Sequence, residues 1–507
     1  MQAHLSSSQE KKPYSRLILK GGTVLLHDAG DHVRAVQKDI LIENNRISKI
    51  CSIIDDSADA DIINCHMKIV SPGFVDTHHH LWQTQLKGRH GDEVLLEYMA
   101  SGNLQSSNYT KEDIYWGQLG GCLEAINAGS TTVVDHSHIN CFPGAASTAI
   151  SATVSSGLRS IYGYCPTPRV ASWSPFALAE DVLAPWVMEN LEDLAQRAPF
   201  GHGRVTMGLA FDQWFLPPSV IQDVFQRAKE AGIKLATTHA IRNAQIGMTD
   251  LVELVKGLGL LDSGMLFSHA NGLSAGSIQA IADAGAHISS TPSAEMQMAA
   301  GYPVCLDDDL PHAQKQSSLG IDCHSNQASS IVYEMRLALQ ASRARRNQKS
   351  IDQGKAPRHT SSTVEDAFNL GTIQGARAIG MEDKIGSIAE GKLADLVIFD
   401  ANTPEMLCAA EQDPVAAIVL HSSVGNVEMV IVDGIVRKRG KLLDVVVDEE
   451  MKSTVAGKNS LQWTEVANAM RRSRKELLER EAEDQDLDEV KRGVIRSFYV
   501  DESKLVG

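Results

Sequence analysis

The sequence predicts a (β/α)8 barrel joined to a small β unit built from both ends of the chain, and three observations point there. Eight short apolar runs, each followed by a longer helical pattern, fill the middle of the chain. β-branched runs broken by turns flank them on both sides. Histidine and aspartate recur at the ends of the apolar runs, the position where such barrels build their sites.

Taken in order, LILKGGTVLL, DILIENNRISKI and ADIINCHMKIVSPG, between Arg16 and Gly73, read as antiparallel strands. Gly73–Thr77 is the first buried run. It is followed by TTVVDHSH (131–138), RSIYGYC (159–165), RVTMGLAF (204–211), IKLATTHA (233–240), GMLFSHA (264–270), AHISSTP (286–292) and QSSLGID (316–322). Continuous rather than alternating hydrophobicity suits strands covered on both faces. KEDIYWGQLGGCLEAINAG and PSVIQDVFQRAKEAG between them are helix candidates, the second ending at Gly232. Strand texture returns in ADLVIFD, PVAAIVL and VEMVIVDGIVRKRG. The expected division is a composite β-sandwich from 14–70 and 385–445, a barrel over 71–384, and a helical extension over 446–507, read as solvated or subunit-bridging.

Length and charge narrow the function. A prior of about 150 residues per domain turns 507 residues into about three units, or one large barrel with a partner. With 47 Lys and Arg against 63 Asp and Glu, the formal charge of −16 argues against capture of nucleic acid or an anionic membrane. No stretch approaches the roughly 20 apolar residues of a membrane helix. The segment from Met1 to Pro13 lacks a secretory apolar run, so the reading is a cytoplasmic protein. The 8 Cys form no CxxC pair, and most read as buried reduced thiols.

In PGFVDTHHHLWQTQ, His78 and His80 alternate at the end of the first strand and so share a face. His239, His269 and Asp322 close three later strands. A divalent ion such as zinc takes imidazole nitrogens and a carboxylate oxygen at about 2.0–2.2 Å, and strand ends of one barrel can bring such groups together. His136 and His138 form a second HxH on the second strand. No further ligand set follows them, so they are not counted as a metal pair, although His138 is expected to reach the pocket.

On these residues a family resemblance rests. PGFVDTHHHLWQTQLKG, AINAGSTTVVDHSH, the strand ends with His239, His269 and Asp322, and IGSIAEGKLADLVIFD together resemble the metal-dependent amidohydrolase superfamily. The similar branch is that of cytosine deaminase, guanine deaminase, the triazine hydrolases and the adenosylhomocysteine/methylthioadenosine deaminases. The resemblance implies a catalytic barrel with a β-sandwich from both termini, over about residues 16–445. It implies His78, His80, His239 and Asp322 as metal ligands or, for Asp322, a proton acceptor, with His269 binding metal or substrate. RVTMGLAFDQWFL on the fourth strand has neither the Lys nor the Glu of the two-metal branches. One ion is therefore expected, zinc, with ferrous iron as the alternative. A homodimer or homotetramer is implied by the resemblance alone.

The ion would activate water for attack on an electron-poor carbon, Asp322 taking the proton and His269 facing the developing charge. Deaminases of this branch carry a Glu three residues after the strand-five His, where this chain has Arg242, which stays protonated. His324 and Glu295 are the candidate catalytic replacements, and Arg242 suits an anionic group of a substrate. Trp82, Gln83, His138, Trp214 and Glu295 complete the expected substrate contacts, for a small aromatic or heterocyclic molecule. The reading is a metal-dependent hydrolase of a C–N bond other than a peptide bond. The alternatives are a metal-dependent decarboxylase of an aromatic acid and a metal-binding homologue without catalysis.

Overall fold

The computed structural model describes residues 16–55, 59–498 and 500–506. The Met1–Pro13 segment and the expected start of the β domain at residue 14 lie outside the described residues. Eight parallel strands occur in the expected order: Phe74–His79, Ser130–Ser137, Arg159–Tyr164, Val205–Ala210, Ala236–Ala240, Met265–His269, His287–Ser290 and Ser317–Leu319, here strands one to eight. At the N-terminal end their interior is apolar, with Val75, Val134, Ile161, Leu235 and Leu266 packed together. Side chains alternate along a strand. Counting up from those positions, His136 and His138, Thr237 and His239, and Ser268 face inward at the opposite end. In strand one a register irregularity between Asp76 and His79 resets the count, so Thr77 and His78 both face the interior.

The ring closes through backbone hydrogen bonds between strands eight and one. Ile321 N and Asp322 N donate to the His78 carbonyl at 2.9 and 2.8 Å, and His80 N donates to the Asp322 carbonyl at 3.1 Å. Gly320 permits this approach, since a Cβ there would meet His78 atoms at 2.7–2.8 Å. Helices cover the outside. Lys111–Asn127 starts at Thr110, which accepts from Asp113 N while the Asp113 carboxylate accepts from Thr110 N. Pro218–Glu230 ends before Gly232, which takes the left-handed φ of 87° that a helix end uses.

Nine of the strands outside the barrel form one sheet, from Arg16–His27, Val33–Glu43, Arg46–Cys51, Asp61–Asn64 and Lys68–Pro72 at one end of the chain and Leu396–Asp400, Val427–Val432, Ile435–Arg439 and Leu442–Leu443 at the other. The expectation of purely antiparallel pairing needs correction. Asp61–Asn64 and Lys68–Pro72 both run parallel to Arg16–His27, because the chain crosses over after Cys51 before rejoining the sheet. Three strands separate Val33–Glu43 from Val427–Val432 in the sheet order, a distance of about 19 Å in a flat sheet. Yet Asn45 Nδ2 donates to Asp433 Oδ1 at 3.1 Å across their turns, so the sheet folds back on itself as a sandwich does.

The extension is helical over Trp463–Asp484 and Leu487–Ser497. It is neither solvated nor free to bridge subunits along its apolar face, because it lies on its own barrel with Leu477, Val490 and Val494 buried. No helix among the described residues is long and apolar enough to cross a membrane.

Barrel and sheet are tied by a buried ion network. Arg159, the first residue of strand three, donates to Asp395 at 2.9 and 3.2 Å and to Asp433 at 3.1 Å. Arg159→Ala leaves two carboxylates without their cation, which should cost about 3–5 kcal/mol. Urea unfolding checks this, and an unchanged midpoint would contradict it.

Candidate metal centre

Four side chains from three regions of the barrel converge at its C-terminal end. His78 of strand one, His80 just after it, His239 of strand five and Asp322 after strand eight each offer one ligand atom, all within 4.8 Å of one another. Asp322 Oδ1 lies 2.9 Å from His80 Nε2 and 3.4 Å from His78 Nε2. The backbone at Asp322 is left-handed, with φ 66°, as it is at His269, with φ 75°. Each such conformation costs a non-glycine residue about 1–3 kcal/mol, and both occur where a strand end turns its side chain toward the cluster.

Each imidazole is held from behind through Nδ1. His78 Nδ1 meets Ser268 Oγ at 2.8 Å, His80 Nδ1 the His136 carbonyl at 2.6 Å, and His239 Nδ1 Asp212 Oδ2 at 2.9 Å. These partners fix the ring orientations and turn Nε2 of each toward the group. The His80 contact decides its chemistry. A carbonyl only accepts, so the proton sits on Nδ1 and Nε2 presents a lone pair. Burial lowers the pKa of His80, despite its contact with Asp322, and keeps the ring neutral. Burial alone would raise the pKa of Asp322, and it is held well below the carboxylate range only by positive charge at its contacts with His78 and His80, the place a cation would take. A lone pair and a carboxylate oxygen therefore face each other at 2.9 Å. His78 Nε2, fully buried and also driven well below its ordinary pKa by burial, makes no hydrogen bond. The neutral imidazoles of His78 and His80 converging with a carboxylate fit a divalent cation.

Asp212 is the residue that sequence reasoning missed. It follows strand four, in the very run searched for a Lys or Glu. Its Oδ2 accepts from His136 Nε2 and His239 Nδ1, both at 2.9 Å, and Oδ1 accepts from His239 N at 3.0 Å. Burial opposes ionisation, but the adjacent His239 and His136 hold Asp212 well below the carboxylate range. In turn Asp212 outweighs burial and raises the pKa of His239. His136, His138, Asp212 and His239 also come within 4.8 Å of one another. The expectation that no ligand set accompanies the second HxH is thus corrected: Asp212 and His239 stand beside it. The two N–H groups pointing at Asp212 satisfy that arrangement, and it serves to orient His239.

The other candidates divide. His138 reaches the cluster, its ring 4.2 Å from that of His80. His269 stands beside it rather than in it, its ring 5.4 Å from His78 and Nδ1 on Thr291 Oγ1 at 2.9 Å; it is absent from the four-residue group. His324 is misplaced by the prediction: its ring packs 5.0 Å from that of His79 and against Gly121 of the following helix, behind strand one. Glu295 is spent on Ser290 Oγ and Thr291 N, 3.7 Å behind His269 Nδ1. Trp82 is sealed in core with Tyr109 and Ile114. Trp214 donates to Thr238 Oγ1 at 2.8 Å and packs on Phe211 and Phe225. Thr238 Oγ1 in turn donates to Asp212 Oδ1 at 3.2 Å, so Trp214 supports the carboxylate behind His239 and does not line the cluster itself. Gln83 joins Tyr98 OH at 2.6 Å to Ser325 Oγ at 3.0 Å, tying together the loops after strands one and eight. Arg242 Nε donates to Met248 O at 2.8 Å within its own loop.

Ligands from strands one, five and eight at the mouth of a parallel barrel define a metal-binding (β/α)8 protein. Residues 69–436 match the amidohydrolase family, and the chain belongs to that family. It is similar to a 5-methylthioadenosine/S-adenosylhomocysteine deaminase of Thermococcus onnurineus, 29% identical over 82% of this chain and 93% of that protein. A 5'-deoxyadenosine deaminase of Methanobrevibacter smithii is 26% identical over 82% of this chain and 92% of its own length. Among solved structures, an adenosine deaminase from Xanthomonas campestris with bound zinc shares the fold at TM-score 0.72 and 19% identity, over 91% of this chain and 98% of that one. Atrazine chlorohydrolase from Arthrobacter aurescens, complexed with zinc, matches at TM-score 0.72 and 18% identity, over 90% and 100%.

Ser268 lies outside the four-residue group and orients His78 through Nδ1. Ser268→Ala should weaken divalent-metal affinity about 10- to 100-fold, measured by competition with a chromophoric chelator. Unchanged affinity would contradict the role assigned to the Nδ1 contact.

Proposed function

We propose that this chain is a hydrolase with one zinc ion, held by His78, His80, His239 and Asp322, that removes an amino group from a small aminated heterocycle. The observation that carries this is the His80–Asp322 contact, a lone pair against a carboxylate oxygen at 2.9 Å in a buried site, which needs a cation. When bound, the ion supplies a Lewis acid and lowers the pKa of water from 15.7 toward about 7. Ferrous iron suits the same ligands. The purine nucleosides named for the relatives, methylthioadenosine and deoxyadenosine among them, are the first substrates to try.

The chain's own groups divide the work. Asp322 directs Oδ1 at His78, His80 and Cys323 Sγ. Oδ2 remains to take a proton from the attacking water and return it to the leaving nitrogen, so that ammonia departs as the C–N bond breaks and the carbon gains oxygen. His269, held by Thr291, faces the electron density that develops on the substrate. His138, at the rim of the cluster, is placed to contact the ring. This assignment removes the need for His324 or Glu295 as the missing Glu. We place the enzyme in the cytoplasm as a homodimer or homotetramer, with 71–384 as the catalytic barrel, 14–70 with 385–445 as the β domain, and 446–507 as the extension.

The test is a screen for ammonia release across adenine nucleosides, free purines, pyrimidines and triazines, run with zinc-loaded and chelator-stripped protein. Stripped protein should be inactive and recover with zinc. Asp322→Asn should lower kcat by about 10³-fold or more, the scale of a lost acid–base group with a disturbed ligand. A variant that keeps its rate would defeat the mechanism, and carbon dioxide released from an aromatic acid would replace it.

A further inference from the structure

The family match ends at residue 436, before either helix of the C-terminal extension begins. Those helices pack on the helix Lys111–Asn127, where Val466 and Ala469 meet Tyr115, Trp116, Leu119 and Leu123, and on the residues between strand one and that helix. Arg474 Nη1 donates to the Gln85 and Lys87 carbonyls, both at 2.9 Å. Glu481 receives both terminal nitrogens of Arg89, at 3.2 and 2.7 Å, in a fork largely withdrawn from solvent, while Arg89 also holds the Ser101 carbonyl at 3.0 Å. Gln485 and Gln105 exchange amide hydrogen bonds at 2.9 and 3.4 Å, and Arg480 pairs with Asp113. Val490 and Val494 then pack with Leu96, Ala100 and Leu104 in one apolar cluster.

The region so held reaches the metal centre at two points. Asn103 meets His138 Nδ1 at 3.2 Å, and the His138 ring lies 4.2 Å from that of His80. Tyr98, hydrogen-bonded to Gln83, packs on Cys323, the neighbour of Asp322. Between these anchors the segment runs beside the strand-one side of the cluster, and His78 and His80 are 0–1% exposed. His239 and Asp212, on the other side, keep side-chain exposures of 24% and 26%.

We propose that the C-terminal extension positions residues 83–108 over the metal centre, with Glu481 as the positioning residue, and so sets how substrate is seated. The inference rests on the proposed function for its substrate and on the fold alone for its mechanics. Bidentate, charge-assisted contacts give a fixed geometry, whereas a cover held only by its own hydrogen bonds opens locally at low cost. Glu481 touches neither ion nor substrate; it acts through Arg89 and the loop.

Hydrogen–deuterium exchange on full-length, zinc-loaded protein tests the mechanics. In Glu481→Gln, exchange over 87–108 should accelerate about tenfold while the barrel strands keep their protection. Zinc content should stay at the wild-type level. For whichever aminated heterocycle is turned over, KM should rise several-fold with kcat little changed, and the swapped pair Arg89→Glu with Glu481→Arg should restore both protection and KM. Unchanged protection over 87–108 would overturn the proposal, as would faster exchange everywhere alike or a loosened cover with KM unmoved. Wild-type protein without zinc or turnover would refute the proposed function while the exchange data still decide the positioning role.

Discussion

The structure depends on one seam. The hydrogen bonds that close the barrel between strands eight and one run from Ile321 and Asp322 to the His78 carbonyl and from His80 to the Asp322 carbonyl. Three of the four candidate ligands are thus the residues whose peptide groups make the closure. A shift of one residue along this seam would turn the ligands away from one another. Gly320 guards the register by letting the two backbones touch. Ring closure and site assembly are a single event, which accounts for left-handed backbone at Asp322 being tolerated where it falls.

Around the seam, neighbouring groups convert position into electrostatics. Ser268, the His136 carbonyl and Asp212 each engage an Nδ1, so three imidazoles turn the opposite nitrogen to the centre. Below them the lining changes from apolar residues to hydroxyls, with Thr77 Oγ1 in contact with Ser289 and Ser318, each at 2.7 Å. These hydroxyls satisfy one another without adding charge. The centre therefore keeps two carboxylates, Asp322 and Asp212, among neutral and paired imidazoles, and burial sharpens every interaction between them.

All eight barrel strands were legible because strands covered on both faces show as continuous apolar runs with chemistry at their C-terminal ends. The spacing of His78 and His80 and the strand-end positions of His239 and Asp322 carried the ligand group in the same way. What failed was finer than a pattern. A lone Asp after strand four carries no signal, and only the register that pairs Ala210 with Thr237, two residues before each, sets Asp212 beside His239. His324 was drawn to the site by nearness in sequence, but it packs on His79 behind strand one, and Trp214 reaches the cluster only through Thr238 and Asp212. The extension reads as a charged, solvated helix because many of its docking groups are themselves charged, Arg474, Arg480 and Glu481 among them.

The central claim is that imidazoles from two strands and the Asp322 carboxylate share one cation. X-ray absorption at the zinc edge of the loaded protein reads that shell directly. The account predicts nitrogen and oxygen neighbours at about 2.0–2.2 Å with the outer scattering of three imidazole rings, and no sulfur at about 2.3 Å. A sulfur shell, or an oxygen shell without imidazole scattering, would contradict it.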